Sequence, residues 1–381
     1  MLGPMIYTCP LDPTSAEKMT LMAEQEVLHV IGQSGRCTFN TFHEHALFIL
    51  LPRLPVPTTG FLSLQLFSPF ILLWLIFFRA VNCIVAQSPF EGVPAVIAKK
   101  IARFFGRNVA VVIENHGDFE ETLFLTRTVT SKSLYSWVIK KMAVFSLARA
   151  DAFRAVSRTT EQQMHIWNAK GPVRIYPAWM LLDVFYRASK TTRRKEHILF
   201  AGDISYRKGV DILLRSFSLI QKQHPSLRLR VAGPQVNPDY FQEIEALARQ
   251  QGIISNLDFL GRLPVTELAL EMAAARVLVL PSRSEGMGRV LVESLAAGTP
   301  IVCTRVGGMP DIAREETYSR CVPAEDPQEL SEGLAAFLHG YDDVAMRDVC
   351  RERAAEIFNP EDYVRVMHEI NTQARRIAGA D

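Results

Sequence analysis

The 381-residue sequence has no cysteines paired at metal-ligating or redox spacing. Cys9, Cys37, Cys83, Cys303, Cys321 and Cys350 form no CxxC, and Cys83 and Cys303 lie in apolar, strand-like runs. That pattern argues against a disulfide framework or zinc site and for small core residues in a reducing compartment. Low-complexity tracts and a disordered tail are also missing, as expected of a globular chain. The net charge is only +2, so no global field points to nucleic acid as a partner. No DxD motif offers paired carboxylates for Mg²⁺ or Mn²⁺. The first residues lack the charged start and continuous apolar stretch of a secretory signal, so a cytoplasmic location is expected.

The length suits two domains. Short apolar runs alternate with helix-length amphipathic stretches, the pattern of parallel sheets covered by helices. Strands are expected at Val27–Ile31, Ala46–Leu51, Cys83–Ala86, Val109–Ile113 and Ala152–Ala155, then at His197–Ala201, Leu227–Ala232, Leu257–Leu260, Val277–Leu280 and Ile301–Cys303. The pattern breaks near Pro177–Lys195. This gives an N-terminal domain over 1–185, a C-terminal domain over 186–358 and a closing segment over 359–381.

Charge is uneven: residues 1–180 carry 17 Lys/Arg against 12 Asp/Glu, and the remainder 25 against 28. A basic amino half suits an anionic surface such as membrane lipid, while chance variation of solvated surface accounts for it equally. Residues 54–78 contain no charge and include FSPFILLWLIFF. Such a stretch is long enough to span a bilayer, but Gln65 and Pro69 interrupt it and it lies between strands of one sheet. An interfacial helix, a core helix and a span all stay open, the first fitting best. VIAKKIARFFGR (residues 96–107) adds basic and aromatic residues nearby. Peripheral contact with the cytoplasmic membrane face is therefore a candidate partner, against the plainer reading of a solvated helix.

The segment 277–312, VLVLPSRSEGMGRVLVESLAAGTPIVCTRVGGMPDI, carries the most chemistry. A strand ends at Pro281, a polar turn leads to Glu285, Gly286, Met287 and Gly288, and a helix runs from about Arg289 to Ala297 before Gly298-Thr299-Pro300 stops it. Glycines let backbone approach a ligand, and free amides at a helix start attract an anion such as a diphosphate. A carboxylate accepts two hydrogen bonds side by side, which suits the paired hydroxyls of a sugar. Placed there, Glu293 suits a ribose and Glu285 the transferred sugar. The plainer alternatives are Glu285 as a helix cap and Glu293 as a surface carboxylate paired with Arg289.

Glu285 and Glu293 have E-x7-E spacing, and EGMGRVLVESLAAGTPIV followed by VGGMPDI resembles the signature of GT-B glycosyltransferases of family 4. HILFAGDISYRKGVDILL (residues 197–214) resembles the opening of that family's second domain, with Lys208-Gly209 at the place of its diphosphate-binding lysine. LRLRVAGP and LDFLGRLP resemble its next two strands and loops, the latter with Gly261 near the nucleobase. The resemblance is strong over 197–312 and weaker over 81–118 and 359–376. It implies an α/β fold of two Rossmann-like domains with parallel sheets facing a central cleft, and domain closure around the donor. It implies a retaining, metal-independent glycosyltransferase that moves a sugar from a UDP- or GDP-linked donor, with no cofactor, to a saccharide acceptor. A lipid-linked saccharide in polysaccharide or glycoconjugate biosynthesis is preferred. The donor set implied is Gly202, Arg207, Lys208, Gly261, Glu285, Gly286, Met287, Gly288, Arg289 and Glu293. Lys208, Glu285 and His116 are the catalytic candidates. His116 follows a strand in VVIENHGDF at a sheet's carboxyl edge, where open parallel sheets bind ligands, and matches the family's HG loop.

Three departures stand out. Asp203 occupies a position where the family has a diphosphate-gripping arginine, for which Arg207 is the substitute. The glycine-rich loop after the first strand is absent, and PAWMLLDVF replaces the family's Pro-Asn-Gly turn, keeping Asp183 and Phe185. The rival readings are an inactive nucleotide-sugar-binding protein and a sugar-nucleotide epimerase on the same architecture.

Overall fold

The computed structural model describes residues 1–35, 37–53, 59–117, 132–338 and 343–380. Its contacts divide the chain into two units. The first runs to His116, resumes before the helix at Lys132 and ends at Trp179, and the chain from Pro360 onward joins it. The second holds Gly117 and runs from Met180 to Asn359.

The first unit holds one sheet of β1 (Leu2–Tyr7), β2 (His29–Ser34), β3 (Asn40–Glu44), β4 (Ala46–Leu51), β5 (Cys83–Ala86), β6 (Ala110–Asn115), β7 (Ala152–Ala155) and β8 (Val173–Ile175), ordered β3-β4-β2-β1-β5-β6-β7-β8. Its connecting helices are α1 (Pro13–Ala23), α2 (Thr59–Phe78), α3 (Gly92–Phe104), α4 (Lys132–Leu147) and α5 (Arg158–Ile166). Every residue of β6 is buried, which requires cover on both faces. Helix α3 packs on β5 and β6 beside α2 and α4.

In the second unit β9 (His197–Ala201), β10 (Arg228–Ala232), β11 (Leu257–Gly261), β12 (Val277–Leu280), β13 (Ile301–Thr304) and β14 (Ser319–Val322) form a wholly parallel sheet in the order β11-β10-β9-β12-β13-β14. That is the 3-2-1-4-5-6 order of a Rossmann sheet. Its helices are α6 (Asp183–Thr191), α7 (Val210–Gln221), α8 (Pro238–Gln250), α9 (Val265–Ala274), α10 (Arg289–Ala296), α11 (Met309–Ile312), α12 (Pro327–Ala335) and α13 (Asp343–Ile357). The last helix, α14 (Pro360–Ala378), packs against β5, β6 and β7 of the first sheet. Arg375 reaches Glu26 at 3.0 Å there, and Asn82 and Asn108 donate to the carbonyls of Ala380 and Gly379.

Several expectations need correction. The first sheet is not wholly parallel, because β3 pairs antiparallel with β4. The NTFHE sequence of β3 is polar and alternating, which suits an edge hairpin but not a buried parallel strand. The strand expected at Val27 begins at His29, and Val27 is exposed. Strand β1 went unread because Gly3 and Pro4 break its apolar run, yet it pairs with β2 and β5 through an irregular register. Of the uncharged stretch 54–78, residues 54–58 lie outside the described residues. The rest forms α2, which by length and composition alone is apolar enough to cross a membrane and which packs on β1, β2, β4 and α3.

Candidate active site

In the second sheet the strand order reverses between β9 and β12. The carboxyl ends of two such strands diverge and leave a crevice, where open α/β sheets bind ligands. The loop after β9 carries Gly202, Arg207 and Lys208, and the loop after β12 carries Ser282 to Gly288. Local sequence accounts for both loops. After β9 a turn at Tyr206–Lys208 ends in left-handed Gly209, which starts α7. After β12 the left-handed Gly288 (φ 81°) starts α10 with no side-chain cap hydrogen bond, so its first amides lack a side-chain acceptor at the cap. Glu285 is thus not the helix cap.

Glu285 is the centre of this site. Its side chain is 10% exposed, and a single oxygen, Oε1, accepts from the Lys208 ammonium, from Arg207 Nη1 at 3.3 Å and from Ser282 Oγ at 2.9 Å. The other oxygen takes no hydrogen bond among the described residues. Arg207 also donates to the Ser284 carbonyl at 2.9 Å. Gly202 lies against the Lys208 stem, 3.5 Å from where a Cβ would stand. The loop after β13 braces this arrangement. Gly308 N donates to Gly286 O at 3.0 Å, and a Cβ on Gly307 (φ 54°) would stand 1.7 Å from the Glu285 carbonyl oxygen. Met287, within this loop, is buried, while Gly261, the last residue of β11, accepts from Gly233 N at 2.8 Å through its carbonyl.

The two loops are also tied by Arg283, which sequence reasoning passed over. Its backbone N donates to Arg207 O at 2.8 Å and its Nη1 to Tyr206 O at 2.6 Å. Its guanidinium forks onto Asp211 at 2.8 Å to each oxygen, pairs with Glu325 and lies 3.7 Å from the Tyr206 ring centroid. The signal available was the Ser282-Arg283-Ser284 turn directly before Glu285.

Glu293, one turn into α10, pairs with Arg289 at 3.4 Å, and its side chain is 15% exposed against 50% for the arginine. Burial raises its pKa above the ordinary carboxylate value, with Arg289 and then Lys208 pulling the other way. The pairing with Arg289 expected of the plainer alternative is present, but Glu293 itself is largely buried and not a surface carboxylate. Asp203 makes no side-chain hydrogen bond or ion pair among the described residues, and Arg207 is turned to Glu285.

His116 belongs to the first unit, just beyond β6. Its Nε2 meets Glu114 Oε2 at 3.1 Å, and Arg154 Nη2 stands 3.3 Å from the same ring nitrogen. Glu114 and Arg154 are register partners on β6 and β7, both fully buried, joined at 2.8 Å through Arg154 Nε. Arg154 Nη1 donates to the Tyr176 and Pro177 carbonyls at 3.1 and 2.8 Å. Burial alone raises the Glu114 pKa, but the Arg154 cation outweighs it and holds the carboxyl well below its usual value. Burial lowers the His116 pKa, the Glu114 hydrogen bond opposes this and Arg154 adds to it. The ring's 38% exposure lets solvent temper the effect. The signal for this pair was a charge inside each of two apolar runs. Asp118, beside the histidine, lies outside the described residues.

Among the described residues no three His, Cys, Asp or Glu side chains cluster in a way that would hold a metal ion. Cys303 and Cys321 are register partners on β13 and β14, a juxtaposition that sequence spacing does not disclose.

Residues 185–357 match the family model described as Glycosyl transferases group 1. The match falls on the second unit, and the first sheet lies outside it. The D-inositol 3-phosphate glycosyltransferase of Corynebacterium kroppenstedtii is 35% identical over 147 residues, 37% of this chain and 32% of that protein. The chain spans about a third to a half of the length of the first curated relatives it matches. Among solved structures, sucrose-phosphate synthase from Thermosynechococcus elongatus superposes with a TM-score of 0.75 at 21% identity, over 94% of this chain and 91% of that one. Anabaena HepE in complex with UDP gives 0.72 at 16% identity, over 97% and 98%. The likeness to these structures is one of fold, and the fold is GT-B.

Proposed function

We propose that the protein is a retaining glycosyltransferase that moves a sugar from a nucleotide-sugar donor to a saccharide acceptor. The observation that carries this reading is Glu285, where three donors converge on one carboxylate oxygen at the switch point of the second sheet and leave the other oxygen to accept from sugar hydroxyls. Support comes from the family model over 185–357 and from the structural neighbour HepE, solved in complex with UDP and with UDP-glucose.

In this reading the donor diphosphate lies along the uncapped amides at Gly288 and Arg289, with Lys208 and Arg207 moving from Glu285 toward it. The bond from the anomeric carbon to the phosphate oxygen breaks as positive character grows on the ring. Negative charge on the leaving diphosphate is met by the two cations and the amides, an electrostatic role that needs no rearrangement at the moment of reaction. The acceptor oxygen bonds to the anomeric carbon on the face the leaving group vacates, and its proton passes to a phosphate oxygen. Glu285 Oε2 holds sugar hydroxyls, and Glu293 binds the ribose. His116, held by Glu114, is assigned the orientation of the sugar or acceptor. The nucleotide-sugar is a co-substrate, and the metal-independent scheme rests on the positive charge these side chains supply.

A panel of UDP- and GDP-sugars tested by thermal shift decides the reading. A donor at about 100 times its Kd adds about 2.7 kcal/mol of stability, and Glu293→Ala is expected to abolish most of that shift. No shift with any donor overturns the proposal. Binding without transfer or donor hydrolysis transfers the case to the inactive binding protein.

A further inference from the structure

Helices α2, α3 and α4 lie side by side over the first sheet, and their sequences contain no Asp or Glu at all. Along α2 the residues Leu64, Ser68, Leu72, Leu75 and Ile76 are buried toward the sheet. Leu62, Leu66, Phe70, Trp74 and Phe78, spaced four apart, form an exposed stripe, with Phe70 69% and Phe78 76% open. A buried inner face already anchors this helix, so the outer stripe contributes nothing to the core. The end of α3 continues the surface. Phe105 meets Phe77 at 6.1 Å between ring centroids, and Phe104 stands beside it, 84% exposed. Contiguous exposed apolar surface on this scale is costly in water and marks a contact with something apolar.

Charge tells what that contact is. Arg79, Lys100, Arg103, Arg107, Lys140 and Lys141 are exposed around the apolar stripe. Three of these cations lie over aromatic rings of the same surface: Arg79 over Trp74 at 5.6 Å, Lys100 over Phe145 at 5.3 Å and Lys141 over Trp137 at 6.0 Å. An apolar stripe ringed by cations, with amphipathic tryptophans at the boundary, matches a bilayer interface with negative headgroups. A second protein surface of ordinary composition brings acidic and basic groups together, and this face has only one sign to offer.

We propose that the α2–α3–α4 face docks on anionic lipid, with Phe70, Trp74, Phe78 and Phe104 entering the headgroup region and Lys100 and Arg103 lying on the phosphates. The helix α2 lies along the membrane and does not cross it. Docking stands apart from the transfer reaction, so loss of lipid binding leaves donor binding intact, and the converse also holds.

The test is flotation of the full chain with vesicles of phosphatidylcholine alone and of phosphatidylcholine mixed with phosphatidylglycerol. Flotation is expected only with the anionic vesicles and is expected to weaken in high salt, where screening shortens to about 3 Å. Each basic residue near such a surface is worth about fivefold in partitioning, so K100E with R103E is expected to lower it by about 25-fold or more. F70S with F104S should lower it as well, while circular dichroism shows both variants folded. Equal flotation on neutral and anionic vesicles overturns the proposal, as does no flotation, or no effect of K100E with R103E. Retention in bacterial membranes after alkaline carbonate extraction overturns it in favour of a spanning α2. A vesicle-free dimer dissociated by F70S overturns it in favour of a second copy of the chain.

Discussion

Lys208 and Glu285 stand 77 positions apart, yet the lysine ammonium rests on the same carboxylate oxygen that accepts from Ser282. The contact exists because β9 and β12 are hydrogen-bonded neighbours whose following loops diverge at the switch point. The ion pair keeps a cation beside the place where the proposed diphosphate charge develops. Removing one such preorganised donor costs about 10²- to 10³-fold in turnover. Lys208→Ala is therefore expected to lower kcat by that order in a steady-state assay with the donor identified by thermal shift, and Lys208→Arg to recover part of it. Near-wild-type turnover in Lys208→Ala removes the electrostatic step.

The loop after β13 makes a second demand on that site. A Cβ on Gly307 would meet backbone, not a flexible side-chain end, 1.7 Å from the Glu285 carbonyl oxygen, and its φ of 54° is unfavourable for alanine. Gly307→Ala must push the Glu285 loop out of place. The expected result is a lower Tm together with loss of the donor-induced shift, measured in one thermal scan with and without donor. An unchanged donor shift shows that the loop's position does not matter.

Glu114 and Arg154 form a buried pair whose sign of effect depends on how it is broken. Either single replacement, Glu114→Gln or Arg154→Met, strands a charge or its hydrogen-bonding partner inside the sheet and is expected to cost about 3–5 kcal/mol by chemical denaturation. The double replacement Glu114→Gln with Arg154→Met leaves no stranded charge and should cost much less than the sum. Additive losses refute mutual dependence. The same cycle examines His116, because Glu114→Gln keeps a hydrogen-bonding group beside the ring but removes the charge.

Much of the second sheet was readable because its strands are short, largely apolar runs, four of which end at or before a glycine or proline, and five of the six lay within two residues of expectation. Strand β14, with the sequence SRCV, carried no such signal. The first sheet was harder: β1 contains Gly3 and Pro4, and β3 is polar. At the site, glycine spacing and the two glutamates single out the loop after β12, the loop on which Lys208, Arg207 and Ser282 converge. Sequence does not disclose that Lys208, Arg207 and Ser282 choose the same oxygen, because that depends on the β9–β12 adjacency. Nor does it disclose Arg283, whose partners Asp211 and Glu325 lie on distant segments.

His197, at the start of β9, gives the second unit a pH dependence of definite sign. Burial, followed by the Arg230 cation, lowers its pKa from 6.5 to about 4, and its Nε2 has no hydrogen-bond partner among the described residues. Between those two values the unfolded chain holds a proton that the native chain refuses, so the unfolded state binds more protons and stability rises with pH. The contribution is therefore fully present above pH 6.5 and is lost as pH falls toward 4. Urea unfolding at steps across that range is expected to show wild-type stability declining more steeply than that of His197→Phe as the medium is acidified. Parallel curves would assign the acid sensitivity to other groups, His116 and His29 among them, whose pKa values are also lowered.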